Sequence, residues 1–252
     1  MNRKISYIIC STPRSGSTLL CDLLTATKVA GRPQSYFMTQ FYSDWARYLN
    51  VSMENWNSDY EFDQCYLNAV LMEGVGDSQV FGLRMQRESL EDLNTRLCQF
   101  YPDKQSDKTR FSAAFGTTHY IHISRKDKIA QAVSLLRAEQ SGLWHIHTDR
   151  TERERLKLGH APHYNAKALS KLVTKLEKQD ASWLDWFSQQ SIQPIPITYE
   201  RLSADPKNTL ANTLSALGLE PSIAEMVEPR TAKMSSNEST EWIERFRLEQ
   251  FD

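Results

Sequence analysis

The stretch that most constrains this chain is Ile8 to Leu20, IICSTPRSGSTLL, in which a short apolar run leads into a small hydroxyl-rich turn and then into an amphipathic segment. This pattern predicts a buried strand, a turn and a helix in direct succession. Such a turn leaves backbone N–H groups of the first helical turn without partners and adds the positive end of the helix dipole. The stretch therefore predicts a binding site for a phosphate or sulfate group.

The side chains of this turn suit an anionic ligand. Gly16 allows the backbone to approach the ligand closely, and Arg14 supplies a fixed charge with a planar fork of donors. Ser15, Ser17 and Thr18 add hydroxyl donors. From this stretch alone, an ordinary turn with a helix-capping hydroxyl remains the alternative.

The turn differs from the common NTP-binding loop, which has a glycine, four residues and then Gly-Lys-Ser/Thr. Ser11 stands at the first glycine and Ser17 at the lysine. The cation is Arg14 instead, two residues before Gly16, so the group that bridges the β- and γ-phosphates is missing. This weakens, without removing, the hypothesis of a small-molecule kinase.

Further strands and helices alternate along the rest of the chain. The apolar patterns predict strands at Lys4 to Ser11, Gln79 to Met85, Thr118 to Arg125 and Pro194 to Tyr199. Helices are predicted at Ser15 to Thr27, Tyr60 to Gly74, Glu88 to Phe100, Asp127 to Leu143, Tyr164 to Gln189, Pro206 to Leu217 and from about Thr240. Strands separated by long crossovers predict an α/β fold, with one mostly parallel sheet covered by helices on both faces, in a single domain over 1–252.

Three segments between these elements call for separate interpretation. Met38 to Asn57 is rich in aromatic residues, which either cover a site or, as we favour, pack into a core of their own. Tyr101 to Gly116 is polar and charged and is predicted to be a mobile loop. Arg150 to Lys157 alternates charges and is predicted to be a solvated face without a catalytic role.

Composition excludes several classes of protein. The chain of 252 residues has a formal net charge of −1, which indicates no overall bias toward nucleic acid or membrane surfaces. The apolar run from Ile5 to Cys10 is too short for a signal-peptide core, and no stretch has the length of a transmembrane helix. The four cysteines are widely spaced without a C-x-x-C pair, which favours a reduced, cytoplasmic protein.

Several motifs taken together resemble the bacterial carbohydrate sulfotransferases, the family typified by trehalose 2-sulfotransferase. The resemblance covers almost the whole chain and rests mainly on Ser11 to Leu20, Ala30 to Phe37, Ile121 to Asp127, Gln131 to Ser134 and Arg137-Ala138. It implies a P-loop-like α/β fold. It also implies transfer of a sulfuryl group from 3′-phosphoadenosine 5′-phosphosulfate, PAPS, to a hydroxyl of a carbohydrate or glycolipid, without a metal.

The resemblance also implies a role for each residue that matches the family motifs. The loop from Arg14 to Thr18 (Arg14, Ser15, Gly16, Ser17 and Thr18) would hold the 5′-phosphosulfate, and Arg14 would stabilise charge that develops on the leaving oxygen. Arg125 and Ser134 would hold the 3′-phosphate, which distinguishes PAPS from ATP. From position alone, Arg125 could equally form a surface ion pair with Asp127.

The position after Pro33-Gln34 departs from the family pattern. The family places a glutamate there as the proposed general base, whereas this chain has Ser35. A serine hydroxyl cannot act as a base near neutral pH. Asp44, Glu54 and His122 are therefore candidates for the base, and a non-catalytic protein that binds PAPS or 3′,5′-ADP remains an alternative function.

The remaining polar residues give weaker signals. Arg84, where the family tends to have lysine, either assists the leaving group or pairs with Glu88. The pairs His145/His147 and His160/His163 are interpreted as surface histidines rather than metal ligands, because no carboxylate or cysteine clusters with them. Trp144 either stacks on a sugar or closes the helix packing. We expect no metal site and no nucleic-acid partner, and a homodimer stays an open alternative to a monomer.

Overall fold

The computed structural model describes residues 5–54, 56–146, 149, 151–156, 158–228 and 237–249. Over these residues, strands and helices alternate as the sequence predicts. The strands of the central sheet are β1 (Ile5–Ser11), β2 (Val80–Gln86), β3 (Thr118–Ser124) and β6 (Ile195–Thr198). This sheet is entirely parallel and has the strand order β2-β1-β3-β6.

Strand β1 lies inside the sheet and pairs with β2 on one side and β3 on the other. Its last residue, Ser11, lies opposite Gln86 of β2 and Ile123 of β3, so the three strands end at the same edge. The indole Nε1 of Trp183 donates to the carbonyl oxygen of Ser11 at 3.0 Å. The turn that follows β1 therefore starts from a fixed point at the carboxyl edge of the sheet, where ligands of open α/β sheets bind.

Ten α-helices within the described residues surround the sheet. They are α1 (Ser17–Ala26), α2 (Tyr42–Tyr48), α3 (Asp59–Val75), α4 (Leu90–Phe100), α5 (Asp107–Phe115), α6 (Lys128–Ser141), α7 (Ala166–Gln189), α8 (Tyr199–Ala204), α9 (Pro206–Ala216) and α10 (Asn237–Glu249). None of the helices in the described part of the chain is long and apolar enough to cross a membrane.

Both faces of the sheet are buried, because neighbouring residues of each strand point to opposite sides. Ile8 and Cys10 of β1 pack in a core with residues of α3, α4, α5 and α7, whereas Tyr7 and Ile9 pack in a second core with α1 and α9. A third cluster joins α6, α7 and α10. The predicted parallel sheet with helices on both faces is thereby confirmed.

The prediction of a mobile loop from Tyr101 to Gly116 is wrong, because Asp107–Phe115 forms helix α5. Ser106 and Thr109 form a reciprocal capping box at its start, and Phe111 and Phe115 are fully buried beneath the sheet. These two rings lie four residues apart, on one side of a helix. The polar residues of the segment lie mostly on the opposite side of the helix. Because they outnumber the buried rings, the amphipathic pattern is hard to recognise in the sequence.

The prediction of a solvated charged face from Arg150 to Lys157 is confirmed only in part, because Arg153 and Glu154 are half-buried whereas 151, 152, 155 and 156 are exposed. Arg150 and Lys157 lie outside the described residues. Glu152–Arg155 forms strand β5, which pairs in antiparallel fashion with β4 (Leu143–Ile146). Arg153 of β5 forms a two-pronged ion pair with Asp22 of α1, with Nη2 to Oδ1 at 2.8 Å. This ion pair holds the β4–β5 hairpin against α1, beside the turn that follows β1.

The aromatic segment after position 38 packs mainly against its own neighbours, as we favour above. Tyr42 and Trp56 contact Phe62 of α3 edge-on, and Trp45 contacts Tyr36 in the same way. Edge-to-face contacts of this kind add to the burial of apolar surface. The segment therefore forms one end of the first core.

Candidate active site

The turn between β1 and α1, called loop 12–16 after residues Thr12 to Gly16, has the backbone of an anion site. Arg14 has φ +61° and Gly16 has φ +89°, so the loop takes the left-handed conformation twice. Gly16 is the N-cap of α1 and has no side chain that could cap the first turn of this helix. Its N–H groups and the positive end of the helix dipole are thus available to a bound anion.

Gly16 is required for packing as well as for backbone conformation. A Cβ atom at this position would lie 2.7 Å from Cδ2 of Tyr199, the first residue of α8. Contacts between carbon atoms have their optimum near 3.5–4.0 Å. The loop is therefore closed against the ring of Tyr199, and no side chain larger than hydrogen fits at position 16 without a shift.

Arg14 joins the loop to α6 and to the hairpin. Its Nε donates to Oγ of Ser134 at 3.0 Å, and its Nη1 donates to the carbonyl oxygen of Trp144 at 2.6 Å. Burial, followed by the positive charge of Arg125, lowers the pKa of Arg14 to about 10. Arg14 stays protonated at neutral pH, and two guanidinium groups thus share one small region.

Arg125 follows β3 at the carboxyl edge of the sheet. Its Cζ lies 4.4 Å from the centroid of the Tyr199 ring, which supports the guanidinium plane by a cation–π contact. Asp127 is engaged elsewhere, since it caps α6 and pairs with Arg247 at 2.8 Å. Among the described residues, neither Nε of Arg125 nor Oγ of Ser15 has a hydrogen-bond partner although both atoms are buried. Buried polar atoms without partners are costly, and an anion would satisfy both.

A buried polar network holds the base of loop 12–16. The side-chain amide of Gln131 donates to Oγ1 of Thr12 at 3.0 Å and to the carbonyl oxygen of Pro13 at 2.7 Å. Lys128 pairs with Asp180 and also donates to the carbonyl oxygen of Arg125 at 2.6 Å. The start of α6 therefore fixes the loop and the end of β3 relative to each other.

A second chain of hydrogen bonds crosses from Ser35 to α1. Nε of Arg84 donates to Oγ of Ser35 at 2.7 Å, and its Nη1 donates to Oγ1 of Thr18 at 2.7 Å. Ser35 follows Gln34, which runs parallel to β2 and accepts a hydrogen bond from the backbone N–H of Arg84. Arg84 is therefore part of the site rather than a partner of Glu88, which pairs with Lys175.

His145 is the last residue of this series of hydrogen bonds, although the sequence interpretation treats it as a surface residue. Its side chain is only 18% exposed, and its Nε2 lies 3.1 Å from Oγ1 of Thr18 and 3.5 Å from Oε2 of Glu154. Burial, together with the charges of Arg14, Arg84 and Arg153, lowers the pKa of His145 to about 2. A neutral imidazole thus lies in the site, and the earlier interpretation of this residue is wrong.

Comparison with known proteins identifies the family. The family model for Stf0 sulphotransferase matches residues 6–249. The chain belongs to this family. It is similar to trehalose 2-sulfotransferase from Mycolicibacterium smegmatis, with 30% identity over 96% of this chain and 94% of that protein. It is also similar to trehalose 2-sulfotransferase from Mycobacterium tuberculosis, with 28% identity and the same coverage. The sulfotransferase domain from the Synechococcus PCC 7002 olefin synthase aligns with a TM-score of 0.47 at 16% identity, covering 98% of this chain and 95% of that chain.

Membership confirms the resemblance found in the sequence and makes the protein an enzyme of sulfuryl transfer. In this sulfotransferase, the matched motifs converge at one edge of the sheet. The junction of β1 with α1 contains Arg14, Ser15, Gly16, Ser17 and Thr18. Arg125, which follows β3, and Ser134 of α6 lie on one side of this junction. Ser35 and Arg84 lie on the β2 side.

The three bases suggested by the sequence lie apart from these contacts. Asp44 is exposed and pairs with Arg47 at 3.1 Å, and Glu54 is exposed in the segment before α3. His122 is buried in β3 with its ring against Phe187, and burial lowers its pKa. None of the hydrogen bonds found for these residues in the described structure reaches loop 12–16, Ser35 or Arg84.

The other histidines of the sulfotransferase fall into two groups. His160 and His163 are exposed, as predicted, and His147 lies outside the described residues. No group of three or more His, Cys, Asp or Glu side chains in the described residues is arranged to hold a metal ion. His145 could have been suspected only from its place three residues after Gly142, which ends α6, and this is a weak signal.

Proposed function

We propose that this sulfotransferase transfers the sulfuryl group of PAPS to a hydroxyl of a carbohydrate or glycolipid. The observation that carries the proposal is the 3.0 Å hydrogen bond from Nε of Arg14 to Oγ of Ser134. It brings the loop that suits a phosphosulfate into contact with a residue expected to bind a 3′-phosphate. A nucleotide with a phosphate on the 3′ oxygen and a phosphosulfate on the 5′ oxygen of one ribose would bring two anionic groups to these neighbouring donors.

The donor would bind to polar groups of loop 12–16, the start of α1, Arg125 and α6. Arg125 and Ser134 would bind the 3′-phosphate, with the Tyr199 ring holding the guanidinium in place. The N–H groups at the start of α1, together with the hydroxyls of Ser15, Ser17 and Thr18, would bind the 5′-phosphosulfate. Nε of Arg125 and Oγ of Ser15 would then gain the hydrogen bonds that they lack within the described residues.

Transfer would proceed by direct displacement at sulfur. The acceptor oxygen forms a bond to sulfur while the bond from sulfur to the bridging oxygen breaks, and negative charge develops on that bridging oxygen. Arg84 donates to Thr18 in the first turn of α1, and Arg14 lies in the loop before this helix. Both guanidinium groups would stabilise this charge. Because the two arginine side chains would already supply positive charge next to the bridging oxygen, we propose no metal in this step.

A carbohydrate acceptor is supported by the two relatives, both named trehalose 2-sulfotransferase. Trp144 does not stand out as a sugar platform, because its side chain packs against the cluster formed by α6, α7 and α10. Its carbonyl oxygen instead anchors Arg14. We further propose a cytoplasmic enzyme, since all four cysteines are free thiols and two of them are buried.

Two assays test the proposal and separate it from its rivals. Thermal unfolding should show a larger rise in Tm with 3′,5′-ADP than with ATP and Mg²⁺, and label from PAPS should appear on trehalose or another sugar of a panel. Arg47→Ala, which removes an exposed arginine paired with Asp44, is the matched control and should behave as wild type. Stronger stabilisation by ATP and Mg²⁺ would favour a kinase. Binding of 3′,5′-ADP without transfer to any sugar would favour a binding protein.

A further inference from the structure

The chain of hydrogen bonds that starts at Ser35 shows where a proton acceptor lies. Arg84 donates to Ser35 and to Thr18, and Oγ1 of Thr18 lies 3.1 Å from Nε2 of His145. Because Oγ1 of Thr18 already accepts a hydrogen bond from Arg84, its own hydroxyl proton can point toward Nε2. This direction places the lone pair of the neutral imidazole on Nε2, inside the site, and the ring proton on Nδ1. The lone pair is released for the acceptor hydroxyl when the Thr18 hydroxyl turns to the bound phosphosulfate.

We propose that His145 is the general base of this enzyme, a role that rests on the proposed transfer from PAPS to a sugar hydroxyl. The acceptor oxygen forms its bond to sulfur, and the bond from sulfur to the bridging oxygen breaks with its electron pair left on the 5′-phosphate of 3′,5′-ADP. The hydroxyl proton moves to Nε2 of His145. The resulting imidazolium later returns this proton to water, so atoms and charge balance.

Among the residues that the structure describes, no other side chain in contact with this region fits the role as well. Ser35 is a hydroxyl, and Asp22 of α1 is occupied by its two-pronged ion pair with Arg153. The side chain of Glu154 is 43% exposed, and its Oε2 lies 3.5 Å from Nε2 of His145. Its carboxylate is therefore positioned to stabilise an imidazolium once His145 has taken the proton.

The charges that face His145 explain how donor binding would activate it. Burial is the largest cause of the lowered pKa of His145, and the charges of Arg14, Arg84 and Arg153 lower this pKa further. Thr18 of α1 contributes only a hydroxyl. With its pKa lowered to about 2, the imidazole is neutral near neutral pH, but it is a weak base. A phosphosulfate bound by Arg14 and Arg84 offsets two of these positive charges and raises the pKa toward its ordinary value of 6.5. The base thus becomes stronger when the donor is present.

The test uses the full chain with labelled PAPS and trehalose, or whichever sugar of the panel accepts label. His145→Gln should lower kcat about 100-fold or more, since general bases contribute roughly 10²–10⁴-fold. The Kd for 3′,5′-ADP should change by less than about threefold, because glutamine can still accept from Thr18. His163→Gln replaces an exposed histidine whose side chain takes no part in the site and is the matched control.

The pH dependence gives a readout that a structural role would not alter. In the wild type, kcat should fall as pH drops through the pKa of His145 in the donor complex, between about 2 and 6.5. This acid limb should be absent from the residual activity of His145→Gln. A kcat within about threefold of wild type, a parallel loss of nucleotide affinity, or an unchanged acid limb in the variant would overturn the role of His145. Absence of transfer by the wild type itself would overturn the proposed function, and the role of His145 with it.

Discussion

Removal of Arg125 gives the most direct measure of how the donor is recognised. Its guanidinium lies 4.4 Å from the Tyr199 ring centroid, and its buried Nε has no hydrogen-bond partner among the described residues. A charge-assisted hydrogen bond of this type contributes about 1.5–3 kcal/mol. We therefore expect Arg125→Ala to weaken binding of 3′,5′-ADP by roughly 10- to 150-fold, since 1.4 kcal/mol is a factor of ten.

The comparison of two nucleotides isolates the contact with the 3′-phosphate. Calorimetry would measure Kd for 3′,5′-ADP and for 5′-AMP with wild type, Arg125→Ala and Lys126→Ala. The 5′-AMP affinity should change little in Arg125→Ala, because that ligand has no 3′-phosphate. Lys126 is the exposed neighbour, so Lys126→Ala removes the same charge and controls for long-range electrostatics.

Loss of the cation–π contact with Tyr199 also lowers the folding stability of Arg125→Ala, by about 0.5–1 kcal/mol. This loss acts equally on both nucleotides and cancels in the comparison. Equal weakening of 3′,5′-ADP and 5′-AMP, or no weakening of either, would refute the assignment of Arg125 to the 3′-phosphate. Weakening by Lys126→Ala as large as that by Arg125→Ala would refute a local contact.

Three further predictions concern loop 12–16 and position 35. Arg14→Ala should lower kcat about 10²–10³-fold and affect the Kd of 3′,5′-ADP much less, because Arg14 meets charge that develops in the transition state; equal losses in rate assays and calorimetry would indicate a purely binding role. Gly16→Ala should lower the free energy of unfolding by about 1–3 kcal/mol in urea titrations, since its Cβ would lie 2.7 Å from Tyr199 at a left-handed φ, and an unchanged midpoint would contradict this. Ser35→Glu, added to His145→Gln, should recover at least about tenfold in kcat by supplying a carboxylate base; no recovery would show that position 35 does not face the acceptor hydroxyl.

Much of the fold and part of the candidate site could be predicted from the sequence. The run from Ile8 to Leu20 determines a buried strand, a left-handed turn at glycine and a helix, because all three depend on neighbouring residues. The alternation of apolar strands with long crossovers requires a parallel sheet, whose carboxyl edge brings loop 12–16 and Arg125 together. The closeness of loop 12–16 to Arg125 therefore follows from the sheet topology and can be predicted without knowing any side-chain contact.

Local polarity misled the interpretation at two places for a common reason. Helix α5 has two buried rings among many charged residues, and strand β5 consists only of charged residues, so neither shows a clear apolar period. Each segment is held by partners distant in the chain. Phe111 packs under the sheet, and Arg153 pairs with Asp22, 131 residues earlier.

The placement of His145 was decided by the tertiary structure alone. Its sequence neighbourhood resembles that of other surface histidines, and nothing local separates it from His163. It becomes buried because the Arg153–Asp22 ion pair holds the β4–β5 hairpin against α1, which sets Nε2 of His145 beside Thr18. The sequence by itself thus determined the strand, turn and helix that suit an anion, whereas long-range ion pairs and hydrogen bonds determined which titratable group faces that site.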